Sequence, residues 1–354
     1  SRARDGGSAM RRPLPPLVEL TIARLREFLR EPEALFWAFA FPVLLALALG
    51  LAFRGKAPEK VPIGVAEGPR AAATLEALGR SPALVARVYA AGAGREALRT
   101  GKISLLVEDD GGPVYRLDPT RPDARAARTE VDDALQRAAG REDPFLPRET
   151  FVEEPGSRYI DFLVPGLLGL NLMGTGMWSL GFSIVNARTK KLLKRLAATP
   201  MRKSEYLLSQ MLARLVFLVF EVAILVGFGW AAFGVEVRGS LGALAAVSLV
   251  GAACFAGLGL LVSSRAKTVE GVSGLMNLVM LPMWLLSGTF FSWERFPEAV
   301  HPYIRALPLT ALNDALRAVM TEGRPLAALG LELGVLVVTG AASFVVAVRV
   351  FRWQ

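Results

Sequence analysis

Residues Ala187–Gln210 read ARTKKLLKRLAATPMRKSEYLLSQ and lie between two long apolar runs. The stretch carries seven Lys or Arg residues (Arg188, Lys190, Lys191, Lys194, Arg195, Arg202 and Lys203) against one acid, Glu205. Basic residues beside a membrane span mark its cytoplasmic flank, so this stretch sets the expected orientation of every other segment. Leu192, Leu193 and Leu196 fall on one helical face, and Arg188, Lys191 and Arg195 on another. Thr199-Pro200 ends that pattern, because proline removes an N–H and disfavours α geometry in the residue before it. The expectation is a short amphipathic helix over 187–199, a turn, and a fresh helix entering the membrane. Two roles suit the charges: topological bias with lipid headgroup contacts, or a helix that another protein grips.

With 354 residues, 53% hydrophobic side chains and a mean hydropathy of +0.40, the chain is too apolar for a soluble enzyme. Its net charge of +9 sits in loops expected on one side, with no groove-reading motif, so nucleic acid is not an expected partner. Cys254 is the one cysteine and His301 the one histidine. That excludes a disulfide framework and a zinc-type Cys/His cluster. No metal site and no catalytic residue is expected.

Taken in order, Ser1–Gly7 reads as a lead, with Met10 a candidate start. Residues 1–34 form a cytoplasmic lead and an interfacial helix, in which Val18, Ile22, Leu25 and Leu29 make an apolar stripe opposite Glu19, Arg26, Glu27 and Arg30. Residues 35–53 are uncharged and long enough to span, with Trp37 suited to anchoring at the interface. The region 54–158 changes character: it is charged and broken by Pro and Gly. Strands are expected at Val61–Ala66, Leu84–Tyr89 and Ile103–Val107, with helices between them, making an extracytoplasmic α/β domain. Gly101-Lys102 prompts a test for a phosphate loop, but Glu96 holds the first glycine position and Ile103 the hydroxyl position. This chain is not expected to bind ATP that way.

Further spans are expected at 159–186, 206–233, 241–262, 272–291 and 326–348. Between the last two, 292–320 is too interrupted by Pro297, Pro302 and Pro308 to cross, and reads as a re-entrant segment in the outer leaflet. The fold class is thus a polytopic α-helical membrane protein of six spans, with the α/β domain inserted between the first and second. Both termini are then cytoplasmic.

Two stretches resemble the membrane subunit of ABC-2-type transporters. Leu193–Gln210, LKRLAATPMRKSEYLLSQ, is similar to that family's R-L-x-x-T-P stretch leading into a helix. Leu286–Met320, with LSGTFFSWERFP and LPLTALNDALRAVM, resembles its re-entrant segment and outer return. The order and spacing of both stretches fit across essentially the whole chain. One departure is the run Lys190, Lys191 and Lys194, where family members usually carry an acid. The resemblance implies a permease in a bacterial-type cell membrane, with no cofactor of its own. ATP and Mg would be used by a separate ABC ATPase subunit, and a second permease subunit would complete the pathway among membrane lipids. It also implies that 187–199 is a coupling helix, with Arg188, Lys191, Leu192, Lys194, Arg195, Leu196, Thr199 and Pro200 at the ATPase contact. In the re-entrant segment it directs attention to Phe290, Phe291, Pro297, His301, Pro308 and Asp314.

Polar residues inside spans are functional candidates because hydrocarbon penalises them. Glu221 lies about two turns beyond Arg214, which is expected to snorkel to the surface. It is the leading candidate for a coupling or substrate-path residue, the alternative being a structural hydrogen bond. Asn171 and Asn277 fit interhelical hydrogen bonding, and Asp161 and Glu332 lie near outer ends where water reaches. The function expected is export of an amphipathic or lipid-like molecule. The rival is a non-transporting scaffold or sensor that binds a ligand through its outer domain.

Overall fold

The computed structural model describes residues 16–52, 60–90, 92–142, 145, 156, 158–192 and 203–351. They fall in two compact units, Ser1–Arg54 with Val152–Gln354, and Gly55–Phe151. The described helices of at least one full α-turn are α1 (Pro16–Leu29), α2 (Pro32–Ala52, with a π-helical turn at Phe36–Ala40), α3 (Ala71–Gly79), α4 (Ala93–Arg99), α5 (Pro122–Ala138) and α6 (Tyr159–Thr189). They continue with α7 (Lys203–Phe233), α8 (Leu241–Ser263), α9 (Val269–Leu286), α10 (His301–Arg305), α11 (Pro308–Met320) and α12 (Gly330–Val350).

Six helices of the first unit, α2, α6, α7, α8, α9 and α12, contain stretches long and apolar enough to cross a membrane. In α6, 78% of the most apolar window is buried, against 22% in α2, α9 and α12, so α6 is the core of the bundle. Lipid tails are as apolar as leucine, so burying apolar surface does not drive these helices together. Close van der Waals packing does. A Cβ added to Gly259 would stand 2.9 Å from Met177 Cα, and one on Gly176 would stand 3.0 Å from Phe255 Cβ, which brings α6 and α8 almost backbone to backbone. On the other flank of α8, a Cβ added to Gly257 would stand 2.8 Å from the Gly340 carbonyl oxygen, and one added to Gly340 would stand 2.8 Å from Cys254 Cα.

Helix ends leave carbonyls without intrahelical partners, and here arginines from neighbouring segments supply the donors. Arg158, at the start of α6, bonds to Phe233 O at 2.9 Å and Gly234 O at 3.2 Å, at the end of α7. Arg188, in the last turn of α6, reaches Ser263 O at 3.3 Å, Ser264 O at 2.9 Å and Ala266 O, closing the end of α8. Arg317 of α11 bonds to Gly288 O just beyond α9 and stacks over the Phe162 ring at 3.6 Å.

Several expected boundaries move. The second span continues to Thr189, so the first residues of the expected 187–199 helix belong to α6, which is closed by Lys191 in the left-handed region (φ 56°). The fifth helix is Val269–Leu286 and the sixth begins at Gly330, because Leu326–Ala328 forms a separate 3-10 turn. The 292–320 stretch is a chain of short helices, and α11 is buried along nearly its whole length among α6, α8 and α12. Its polar groups explain this. Asn313 Nδ2 bonds to Ser287 O at 2.9 Å and Thr289 Oγ1 at 3.2 Å, partners that lipid does not offer.

The second unit carries a four-stranded sheet in the order β2-β1-β3-β4, from β1 (Val61–Ala66), β2 (Leu84–Tyr89), β3 (Leu105–Asp109) and β4 (Pro113–Arg116). β1 runs parallel to β2 and β3, and β3 pairs antiparallel with β4 across a turn in which Gly111 has φ 74°. Ile63, Val65, Leu84, Leu105 and Val107 meet Leu78 of α3 and Ala127 and Val131 of α5 in its core. Arg116, then Arg95, hydrogen-bond Glu108 and hold its carboxyl below the usual range. The third strand lies two residues later than expected, a shift that keeps each side chain on its face. β4 escaped sequence reading because GGP reads as a turn.

Adding one methyl separates packing from propensity. Gly340→Ala should lower the thermal stability of the purified chain by about 1–3 kcal/mol through the α8–α12 clash. Gly334→Ala, on the same helix with nothing within 4 Å of its added Cβ, should leave the chain as stable or slightly more so. Equal melting temperatures for the two variants would remove the close-packing argument.

Candidate functional site: a polar stripe facing an apolar groove

Asn171, Thr175, Ser179 and Ser183 recur every four residues along α6, and that spacing puts them on one helical face. They line a groove of about 1210 Å³ in the first unit, bounded by α1, α2, α6, α7 and α9. From α7 the same groove receives Gln210, Arg214 and Glu221. Much of its remaining wall is apolar, with the aromatic residues Phe28, Trp37, Phe41, Trp178, Phe217 and Trp284. Phe28 and Phe217 lie 4.2 Å apart between ring centroids and bind α1 to α7.

The seven-residue separation of Arg214 and Glu221 is two helical turns, so both project from one side of α7. Arg214 is 5% exposed and Glu221 2%. Their contact is bidentate, with Arg214 Nη1 donating to Glu221 Oε1 at 2.8 Å and Nη2 to Oε2 at 2.7 Å. Arg214 also donates to Thr175 Oγ1, whose hydroxyl lies 3.2 Å from Glu221 Oε2. The expectation that Arg214 snorkels to the surface is therefore corrected. A fork-to-fork pair matches all the charge internally, and a lone buried carboxylate would be far costlier. Beside the pair, Ser183 Oγ donates to Gln210 Oε1 at 3.3 Å. Gln210 Nε2 and Arg214 Nε are buried and find no hydrogen-bond partner among the described residues.

The expected site residues divide among several places. Glu221 and Asn171 line the groove, and Asn171 Nδ2 donates to Ala38 O at 3.2 Å, within the π-helical turn of α2. Asn277 is exposed on α9 and does not line the groove. Arg188 points into the α8–α9 connection, with its guanidinium 5.8 Å from the Phe351 ring centroid. Lys191 and Leu192 are exposed just past the end of α6. Lys194, Arg195, Leu196, Thr199 and Pro200 lie outside the described residues.

At the opposite end of α6, Tyr159 donates to Phe290 O at 3.0 Å, and Phe290 borders the groove. Phe291 packs on Phe296 with centroids 5.9 Å apart. Pro297 precedes a 3-10 turn, His301 Nε2 lies 2.8 Å from Phe296 O, and Pro308 opens α11. Trp293 joins these pieces. Its Nε1 donates to Asp314 Oδ2 at 3.2 Å, and its ring meets His301 edge-on at 5.1 Å and Arg305 at 5.0 Å. Asp161, expected within reach of water, is 2% exposed and accepts from Arg158 and the Gly156 amide. Sequence reading singled out neither the Thr175, Ser179 and Ser183 ladder nor Gln210. The signal was a four-residue polar repeat inside an apolar helix.

Comparison with known proteins supplies the family. The family model described as ABC-2 family transporter protein matches residues 32–349. A 174-residue stretch is 25% identical to ABC transporter G family member 20 of Dictyostelium discoideum, covering 49% of this chain and 24% of that protein. A 110-residue stretch is 34% identical to Nodulation protein J of Rhizobium meliloti (strain 1021), covering 31% of this chain and 41% of that one. The Nodulation protein J of Rhizobium leguminosarum bv. viciae is 33% identical over 110 residues. The matched stretches thus span from about a quarter to two fifths of these relatives' own length. With a family model covering most of its length and six helices able to cross a membrane, the chain belongs to the ABC-2 family of transporter permeases.

Proposed function

We propose that this chain is the permease of an ATP-driven exporter, which moves an amphipathic or lipid-like molecule out of the cytoplasm or inner leaflet and is energised by a separate ABC ATPase subunit that uses ATP and Mg. The observation that carries the reading is the continuity of α6. One uninterrupted helix bears the groove-lining polar stripe and ends at Lys190 and Lys191, the start of the basic segment. A partner pushing on the basic end of α6 would move the groove wall, because both belong to one helix. Arg188 passes the same displacement to the α8–α9 connection through its carbonyl bonds.

In this reading the basic end is cytoplasmic, the ATPase grips Lys191 and the residues leading to Pro200, and the Gly55–Phe151 unit is extracytoplasmic in a bacterial-type cell membrane. A second permease subunit covers α9, where Asn277 is exposed among Leu275, Leu278 and Leu281. An amide facing hydrocarbon gains from a protein partner.

Co-purification from the native membrane tests the coupling. Lys191→Glu with Arg195→Glu should release a co-eluting ATPase and cut substrate-stimulated hydrolysis at least tenfold, with the chain still folded. Arg188→Ala should instead lower thermal stability by about 1–3 kcal/mol, because carbonyls at the end of α8 lose their donor. If no ATPase co-elutes with the unaltered chain, the scaffold or sensor reading takes over.

The buried pair gives a second test. Glu221→Gln or Arg214→Met alone leaves a buried charge without its counter-charge and should destabilise the chain by about 3–5 kcal/mol. The double variant Arg214→Met with Glu221→Met should recover most of that loss in a thermal melt. A folded double variant that still exports at the unaltered rate would make the pair structural only.

A further inference from the structure

We infer that the groove holds a subsite for an uncharged, acceptor-rich head group, formed by Gln210, Arg214 and Ser183, so that the molecule carried is a neutral amphiphile with a hydroxyl- or amide-bearing head and an apolar tail. The inference rests on the transport reading and narrows its substrate class.

Two buried donors point to it. Gln210 is 4% exposed and Arg214 5%, and they stand four residues apart, one above the other on the groove face of α7. Each keeps one N–H-bearing atom, Gln210 Nε2 and Arg214 Nε, buried without an acceptor among the described residues. A buried donor left unmade costs about 1–3 kcal/mol, and two side by side form a receptor for acceptor atoms. Gln210 is held with its amide nitrogen free because Ser183 Oγ occupies the oxygen side at 3.3 Å.

Charge then selects among acceptor-bearing heads. The Arg214 charge is already answered by both oxygens of Glu221. The described residues lining the groove include three arginines, Arg24, Arg30 and Arg214, and three glutamates, Glu31, Glu33 and Glu221, with no lysine or aspartate among them. A phosphate or carboxylate brought into this groove would lose its hydration without meeting an excess of positive charge, and a quaternary ammonium would meet no excess of negative charge. A neutral head bearing hydroxyl or amide oxygens loses least on entry and pairs with both donors. The aromatic wall of Phe28, Trp37, Phe41, Phe217 and Trp284 takes the tail.

The full-length chain in lipid nanodiscs, without an ATPase, suffices for the test. Trp37, Trp178 and Trp284 line the groove, so intrinsic fluorescence reports occupancy. The probes are dodecyl maltoside, dodecyl phosphate and dodecyltrimethylammonium, each titrated below its critical micelle concentration. Dodecyl maltoside should bind at least tenfold more tightly than either charged probe. Gln210→Met, which keeps the length of the side chain and removes its donor, should weaken the maltoside about fivefold to tenfold while changing the charged probes little. Equal or tighter binding of a charged probe to the unaltered chain overturns the inference, as does an unchanged selectivity ratio in a Gln210→Met chain that melts normally. These outcomes are independent of the permease reading. Selective maltoside binding with no ATPase partner leaves the subsite standing and removes the transport role; ATPase-coupled export without the selectivity does the reverse.

Discussion

A polar atom inside hydrocarbon has no water to bond, so the chain itself supplies partners for most such groups, and much of its architecture follows. The ends of α7, α8 and α9 meet Arg158, Arg188 and Arg317, whose guanidinium groups spread over carbonyls that would otherwise be orphaned. The same requirement folds Arg214 back onto Glu221 and draws α11 into the bundle through Asn313. Arginine suits the task because its fork of donors reaches several acceptors at once and its charge persists when buried.

Packing density is the second determinant. Glycines at 176, 257, 259 and 340 bring α6, α8 and α12 into near-backbone contact, and this tight half of the bundle contrasts with the looser half that forms the groove. Aromatic side chains such as Phe28, Trp37 and Trp284 hold the other side apart.

How much was legible follows from the range over which each signal acts. The six spans and the strands β1 and β2 were readable because apolar run length and alternation are local, and the seven-residue separation showed only that Arg214 and Glu221 share a face. Where Arg214 points was not readable: snorkelling and pairing use the same side chain, and the presence of Thr175 from α6 is a tertiary fact. Arg188 read as a docking charge because its neighbours in sequence are basic, yet its partners lie 75 to 78 residues away. The burial of α11 was hidden by its prolines, which signalled interruption without saying what would enclose the interrupted segment.

The length of α6 has a mechanical consequence. Its 31 residues make a rod about 46 Å long at about 1.5 Å per residue, well beyond a hydrocarbon core of about 30 Å. A span of this length extends past the hydrocarbon core into the headgroup region. With glycine contacts to α8 serving as a fulcrum near its middle, a tilt of about 10° would swing each end by roughly 4 Å over the half-length of that rod. Such a tilt would return a small stroke at Lys190, reversed in direction, at Tyr159, the end whose hydroxyl is bonded to Phe290 at the rim of the groove.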